Sequence, residues 1–196
     1  ATSSHNTMEN ETGEAAWDDA LVGFAAGADP IWQQYKECVG AFHWTPWEVF
    51  NQHRPEESAG AEELTVVSWV LPQRELVRKA NRRTKKYPAE EWARIRIYGE
   101  DFNAALRRHV AKRLEQVGHA AIAPMLDSNW TIINSQRFSY TSSWSERHAA
   151  HAAGLIRLSR GAVECATADE NDPTNVSRIA CSIGQGEHRA PGETDK

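Results

Sequence analysis

The chain has 196 residues, 40% of them hydrophobic, and a net charge of −5, which favours one folded domain with tails over a disordered chain. No segment approaches the roughly 18–20 consecutive apolar residues of a membrane-spanning helix, and the polar N-terminus contains no apolar signal core. Three cysteines without CxxC spacing exclude a disulfide framework, although one bridge stays open, so we expect a reduced cytoplasmic protein.

The first part of the chain predicts helices followed by one strong strand. Residues 13–28 are small and apolar and predict a first helix, and a second follows Pro30 with apolar residues at helical spacing. Thr45-Pro46-Trp47-Glu48 has the pattern of a capping box with Pro at the first helical position. Leu64–Leu71 is β-branched and aromatic and is stopped by Pro72, which predicts a strand covered on both faces.

The middle of the chain predicts two or three helices and a short strand. Residues 73–86 predict a basic helix or a helix followed by a loop, and a further helix is expected to begin near Pro88. Residues 101–117 carry an apolar stripe that Gly118 is placed to end. Residues 119–124 follow as a short strand. Because strands and helices alternate, we expect an α/β fold, with α+β as the alternative, in which helices flank a central sheet.

The last part of the chain has weaker patterns. Residues 127–143 predict a long polar and aromatic loop, and 143–146 a second capping box whose helix Gly154 should end. Residues 176–183 predict a strand and 184–196 a disordered end. The expected organisation is a disordered segment 1–14, a domain over 15–160 and a divergent, partly disordered tail over 161–196.

Positive charge is concentrated in the middle of the chain. Between Arg74 and Arg113 there are 13 Lys and Arg residues against five Asp and Glu, a local net charge of +8. This asymmetry indicates either a surface for anions or a solvated helix face. The candidates for contacts with RNA phosphates are Arg82, Arg83, Lys85 and Lys86.

Three stretches resemble one protein family. They are residues 96–124, which begin Arg-Ile-Tyr-Gly-Glu-Asp-Phe-Asn, residues 129–143, and residues 144–155, Trp-Ser-Glu-Arg-His-Ala-Ala-His-Ala-Ala-Gly-Leu. The last stretch is the most specific. Together they resemble the N-terminal part of the epoxyqueuosine reductase-like ferredoxin family, relatives of the corrinoid reductive dehalogenases.

The resemblance implies a cofactor and a class of reaction. In that family an α/β module binds cobalamin, and a following part holds two [4Fe–4S] clusters that supply electrons for reducing the substrate. Implied partners are therefore a tRNA or small-molecule substrate and an electron-donor protein. The likeness ends after Leu155, and three cysteines are too few for the roughly eight thiolates of two clusters. We expect a module truncated before its cluster domain; the alternatives are a non-catalytic RNA-binding or partner-binding module, or an inactive relic.

The resemblance also points to site residues. Asp127, in an Asp-Ser context, is the expected catalytic proton donor, with a turn residue as the alternative. Tyr98, Asp101 and Asn103 border the cofactor in the family and lie where we expect a helix to begin; simple N-capping is the alternative.

The most specific stretch supplies the remaining candidates. Arg147 could hold a phosphate or amide group of the cofactor through its planar fork of donors. His148 and His151 share a helix face, but without an HExxH pattern we predict no metal site. Trp130 and Trp144 flank the polar loop as pocket walls, with burial in the core as the alternative.

Overall fold

The computed structural model describes residues 4–9, 13–134, 140–159, 162–165 and 178–185. The helices in these ranges are α1 Ile31–Val39, α2 Pro46–His53, α3 Glu75–Arg83, α4 Glu90–Gln116 and α5 Glu146–Ala152. The strands are β1 Leu21–Ala26, β2 Leu64–Leu71, β3 Ala121–Ile122, β4 Ile132–Ile133, β5 Thr141–Ser142, β6 Ile156–Ser159, β7 Ala162–Cys165 and β8 Arg178–Gln185.

One four-stranded sheet organises the molecule. Its strand order is β1-β2-β8-β3, with every neighbouring pair antiparallel. Two short antiparallel pairs, β4 with β5 and β6 with β7, lie outside it. The predicted mixed fold of helices and strands is confirmed, and the antiparallel pairing corresponds to the α+β alternative.

Strand β2 shows why both faces of the sheet are apolar. Leu64 and Val66 pack into a core that also contains residues of α1, α2 and α5. Trp69 and Leu71 point the other way, into a core with residues of α3 and α4. Alternate residues of a strand face opposite sides, so the nearly continuous apolar run of β2 confirms the predicted strand covered on both faces.

Helix α2 begins as its local sequence predicts. Thr45 is the N-cap and accepts a hydrogen bond from the backbone N–H of Glu48, while the Glu48 carboxylate accepts one from the backbone N–H of Thr45. Pro46 occupies the first helical position, where its missing N–H costs nothing. The helix ends at His53, just before Pro55.

Helix α4 corrects the prediction of a helix beginning near residue 101. It runs without interruption from Glu90 to Gln116. Gly99 in its interior packs against Trp17, whose ring lies 2.5 Å from where a Cβ on Gly99 would stand. The glycine therefore makes room for a buried Trp ring and does not mark a helix boundary.

The N-terminal segment differs from both predictions made for it. The predicted helix over 13–28 is wrong, because Leu21–Ala26 is strand β1, paired with β2 along its whole length. Asn6 accepts hydrogen bonds from the backbone N–H groups of Ala16 and Trp17, and Met8 is completely buried. Residues 4–9 are therefore folded against the domain, contrary to the expected disorder of 1–14.

The C-terminal part also contributes to the sheet. Strand β8, Arg178–Gln185, pairs with both β2 and β3. The expected strand over 176–183 is confirmed where the structure describes it, but the disorder expected from 184 onward does not hold for Gly184 and Gln185. The rest of 161–196, apart from β7, lies outside the described residues. A domain that ended at residue 160, as expected from the sequence, would lack β8, which is an inner strand of the sheet.

Candidate functional site

The stretch 144–155 folds as an N-capped helix with a different capping residue from the one expected. Ser145, not Ser143, is the N-cap of α5, and its hydroxyl accepts a hydrogen bond from the backbone N–H of His148. Glu146 is consequently the first residue of the helix and not its capping-box acid. Gly154, with φ of +71°, follows the helix end as predicted.

Glu146 instead forms a buried ion pair with α4. Its two carboxylate oxygens accept hydrogen bonds from the Arg107 guanidinium at 2.8 and 2.6 Å, and Glu100 accepts a third at 2.9 Å. The side chain of Arg107 is only 3% exposed and that of Glu146 10%. Burial opposes the charge of Arg107, but the two carboxylates outweigh it and raise its pKa. This pair ties α5 to α4 and so orients the helix that carries the candidate site.

Four aromatic and imidazole side chains meet at the other face of α5, and we call them the histidine cluster: Tyr35, His43, His148 and His151. The Tyr35 ring lies 4.5 Å from the ring of His148, and the His43 ring lies 5.2 Å from it. The Tyr35 hydroxyl and Nδ1 of His151 are 2.5 Å apart. One group of titratable rings is thus built from three separate parts of the chain: α1, the turn before α2, and α5.

Burial lowers the pKa of two imidazoles of this cluster, His148 and His43. It lowers the pKa of His148 to about 4, with smaller contributions from the charges of His43, Arg147 and His151. Burial likewise lowers the pKa of His43, whose Nδ1–H donates to the Ser142 carbonyl at 2.9 Å. The Nδ1 atom of His148 is buried without a hydrogen-bond partner. A buried polar atom without a partner is costly, so it marks a place where a ligand would be favoured.

The two tryptophans predicted as pocket walls lie beside this cluster but belong to the core. Trp144 is 1% exposed and stacks on Trp32 at 5.7 Å between ring centroids. Trp32 in turn meets Tyr35 edge-on at 5.9 Å. Trp130 is half-buried against the same core, and its Nε1–H donates to the Trp144 carbonyl. The packing of these tryptophans supports the histidine cluster on the side where Trp32 contacts Tyr35.

Asp127 has an environment opposite to that of a proton donor. Its side chain is 4% exposed, and one carboxylate oxygen lies 2.6 Å from Nδ1 of His53. The other oxygen accepts the backbone N–H of Asn129 at 2.6 Å. Burial favours the protonated form, but these hydrogen bonds and the charge of His53 outweigh it, so the pKa of Asp127 is lowered. A lowered pKa favours the ionised carboxylate, which has no proton to give, so this environment argues against the expected role of Asp127, which stays a prediction.

The candidates on α4 do not converge on the histidine cluster. Tyr98 and Asp101 are exposed in the helix interior, and Asn103 is fully buried, accepting a hydrogen bond from Nε1–H of Trp69. Since α4 begins at Glu90, no helix N-terminus lies at these residues, and the argument for an anionic group there fails. Arg147 is exposed on α5. Of the predicted cofactor residues, His148 alone belongs to the cluster.

Sequence reasoning missed Tyr35, His43 and His53 as site residues. His151 was visible, because its i,i+3 spacing from His148 places both on one helix face. Tyr35 matched only the helical stripe of α1, and neither His43 nor His53 stands in a local pattern. Contacts across about a hundred residues of chain carry no local signal.

The basic segment is exposed as expected. Arg82 and Arg83 lie in the last turn of α3, and Lys85 and Lys86 follow in the loop before α4. All four residues are exposed. Tyr87 is 71% exposed beside them, with Nζ of Lys86 5.5 Å from its ring centroid.

Neither a metal-ligand group nor a large cavity accompanies the histidine cluster among the described residues. No group of three or more His, Cys, Asp or Glu in those ranges is arranged to hold a metal ion. A groove of about 220 Å³ runs along α1 between Gln33 and Ala41, smaller than the roughly 300–1,000 Å³ of typical ligand pockets. In the same ranges no helix is long and apolar enough to cross a membrane.

Comparisons of the chain with protein-family models, with curated proteins and with solved structures find no match.

Proposed function

We propose that this chain is the cofactor-binding module of an epoxyqueuosine reductase-like oxidoreductase, and that its cofactor is cobalamin. The observation that carries the proposal is His148, a neutral imidazole whose buried Nδ1 has no hydrogen-bond partner. A neutral imidazole nitrogen with a free lone pair can bind a metal centre or accept a hydrogen bond. This unpartnered nitrogen is what supports a metal-bearing cofactor at the histidine cluster.

The most specific sequence resemblance lies in the same helix. Of the stretch 144–155, Trp144, Ala149 and Ala150 are packing residues, each at most 1% exposed. His148 and His151 face the cluster instead. The stretch that resembles the family thus divides into residues that seat α5 and residues that form the candidate site. The family resemblance comes from the sequence of 144–155, and the histidine cluster comes from contacts in the structure. That both fall on α5 supports the proposal.

The residues of this chain have defined tasks in the proposed site. His148 would hold the cofactor, while the hydroxyl of Tyr35, whose pKa burial raises, stays protonated beside it. Trp32 and Trp144 exclude water from one side. Cobalamin, when bound, supplies a cobalt centre that can pass electrons to a substrate. The three cysteines are too few for the family's two clusters, so the electrons would come from outside these 196 residues, from an electron-donor protein.

Titration with base-off cobalamin tests the proposal. We expect a change in the visible absorption spectrum on binding to the purified chain, and a dissociation constant at least about tenfold higher for His148→Ala, the scale on which a lost ligand-supporting group weakens metal sites. His119→Gln replaces an exposed histidine outside the cluster and should bind as the parent does. An unchanged spectrum at near-millimolar cobalamin would exclude the site, as would equal weakening in the two variants.

A second candidate function, binding of RNA, is favoured by the exposed basic surface. Arg82, Arg83, Lys85 and Lys86 lie within five consecutive residues of the chain and are all accessible. The exposed Tyr87 beside them could stack on a base. Phosphate contacts release counterions, so binding should weaken steeply with salt.

Salt-dependent binding to tRNA tests this candidate. For Arg82→Ala with Arg83→Ala, we expect the slope of log affinity against log salt to fall by about 2, roughly one per lost phosphate contact. Arg108→Ala with Lys112→Ala removes the same charge from exposed positions on α4 and should leave the slope nearly unchanged. Equal slopes in the two double variants would assign the effect to net charge and defeat a defined RNA surface.

A further inference from the structure

His53 and Asp127 form a second titratable pair, separate from the histidine cluster. His53 is the last residue of α2, whereas His43 lies two residues before Thr45, the N-cap of the same helix. Eight residues of helix span about 12 Å, so the two groups lie near opposite ends of α2. Nothing in the proposed cofactor site uses His53.

The carboxylate of this pair is held rigidly. Asp127 is 4% exposed, and each of its oxygens has its own partner: Nδ1 of His53 at 2.6 Å and the backbone N–H of Asn129 at 2.6 Å. An ionised carboxylate is acceptor only, so in the neutral ring the proton must sit on Nδ1 of His53. The pair therefore defines the tautomer of the histidine.

The imidazole of this pair is accessible. The side chain of His53 is 43% exposed, and within the described ranges its Nε2 atom makes no hydrogen bond. The neighbouring Arg54 does not compete for Asp127, because its guanidinium binds Glu57, Glu115 and the carbonyl of Ala121. The remaining reactive group is the Nε2 lone pair, on a ring oriented by a buried carboxylate.

We infer that His53 is the acid–base group of a second site and that Asp127 is its positioning residue. The ligand class is one that presents an O–H proton, either a bound water or a hydroxyl group. Nε2 removes that proton, the O–H electron pair stays on the oxygen, and the resulting imidazolium is stabilised by the carboxylate at Nδ1. The same proton returns from Nε2 to an oxygen when the ligand leaves. This division of roles goes beyond the proposed function and does not depend on cobalamin.

Nitrogen NMR of the parent chain tests the tautomer without any substitution. With ¹⁵N-labelled protein at mildly alkaline pH, we expect a protonated Nδ1 and an unprotonated Nε2 for the ring of His53. His53→Gln assigns the resonances. A protonated Nε2 in the neutral ring would overturn the inference, because the base would then have no lone pair to offer.

Acylation by diethyl pyrocarbonate, followed by mass spectrometry, tests the reactivity of Nε2. This nitrogen attacks the carbonyl carbon, and the bond to the ethyl carbonate leaving group breaks. In Asp127→Asn we expect acylation at His53 to slow at least about tenfold, because an amide in place of the carboxylate favours the wrong tautomer. Asp101→Asn, at an exposed carboxylate on α4, should leave the rate unchanged. Equal rates in the parent and Asp127→Asn would refute the positioning role.

Discussion

Replacing Arg107 with alanine is expected to lower the free energy of unfolding by about 3–5 kcal/mol, the usual cost of removing one partner from a buried ion pair. Arg107 donates three hydrogen bonds to Glu146 and Glu100 while its side chain is 3% exposed. Without it, Glu146 keeps a charge at a 10% exposed position, and α5 loses its tie to α4.

Chemical denaturation of Arg107→Ala beside Arg108→Ala measures this effect. Arg108 is the adjacent exposed residue of α4, and its loss should change stability by no more than about 0.5 kcal/mol. Arg107→Leu combined with Glu146→Leu should recover most of the loss, because it removes both buried charges. Similar destabilisation by the two single variants would mean that the ion pair does not hold α5.

Acidification between pH 6.5 and pH 4 is expected to destabilise the fold by up to about 3 kcal/mol through His148. Its folded pKa is about 4 against an ordinary value of 6.5, so in this window the unfolded chain binds a proton that the folded chain does not. Stability therefore rises with pH across the window and levels off above it. His43, whose pKa burial also lowers, adds an effect of the same sign.

Unfolding free energies at pH 4.5, 5.5 and 7.5 test the second prediction. His148→Gln removes the titrating ring and should flatten the pH dependence in this range, whereas His119→Gln should preserve it. The carboxylate of Asp127, with its lowered pKa, loses its contribution only at more acidic pH and does not confuse the comparison. A pH dependence that survives unchanged in His148→Gln would show that the ring is not buried in its neutral form.

Several elements were predictable because their causes are local. The capping box of α2 needs only Thr45 and Glu48, three residues apart. The strand Leu64–Leu71 is predicted by its β-branched and aromatic residues before a proline. The pairing of His148 with His151 on one helix face follows from helical spacing alone. Such features depend on neighbours within one turn or one strand, so the sequence by itself determines them.

Other features were decided by contacts between distant parts of the chain. The helix expected to begin near residue 101 instead continues through Gly99, which leaves space for the Trp17 ring. Leu21–Ala26 is a strand because it pairs with β2. Glu146 reads as a capping acid until Arg107 reaches it from α4. In each case burial against a remote partner outweighs a local preference of about 1 kcal/mol or less.

The candidate sites show the same division. The amino-acid sequence singled out Asp127 through the family resemblance, and His148 through the same resemblance together with its helical spacing from His151. Only the tertiary structure placed Tyr35 and His43 around His148, and His53, 74 positions away in the chain, on Asp127. The protonation states depend on those contacts and on burial. Local spacing encodes neither the contacts nor the burial, so the fold decided the chemistry of both candidate sites.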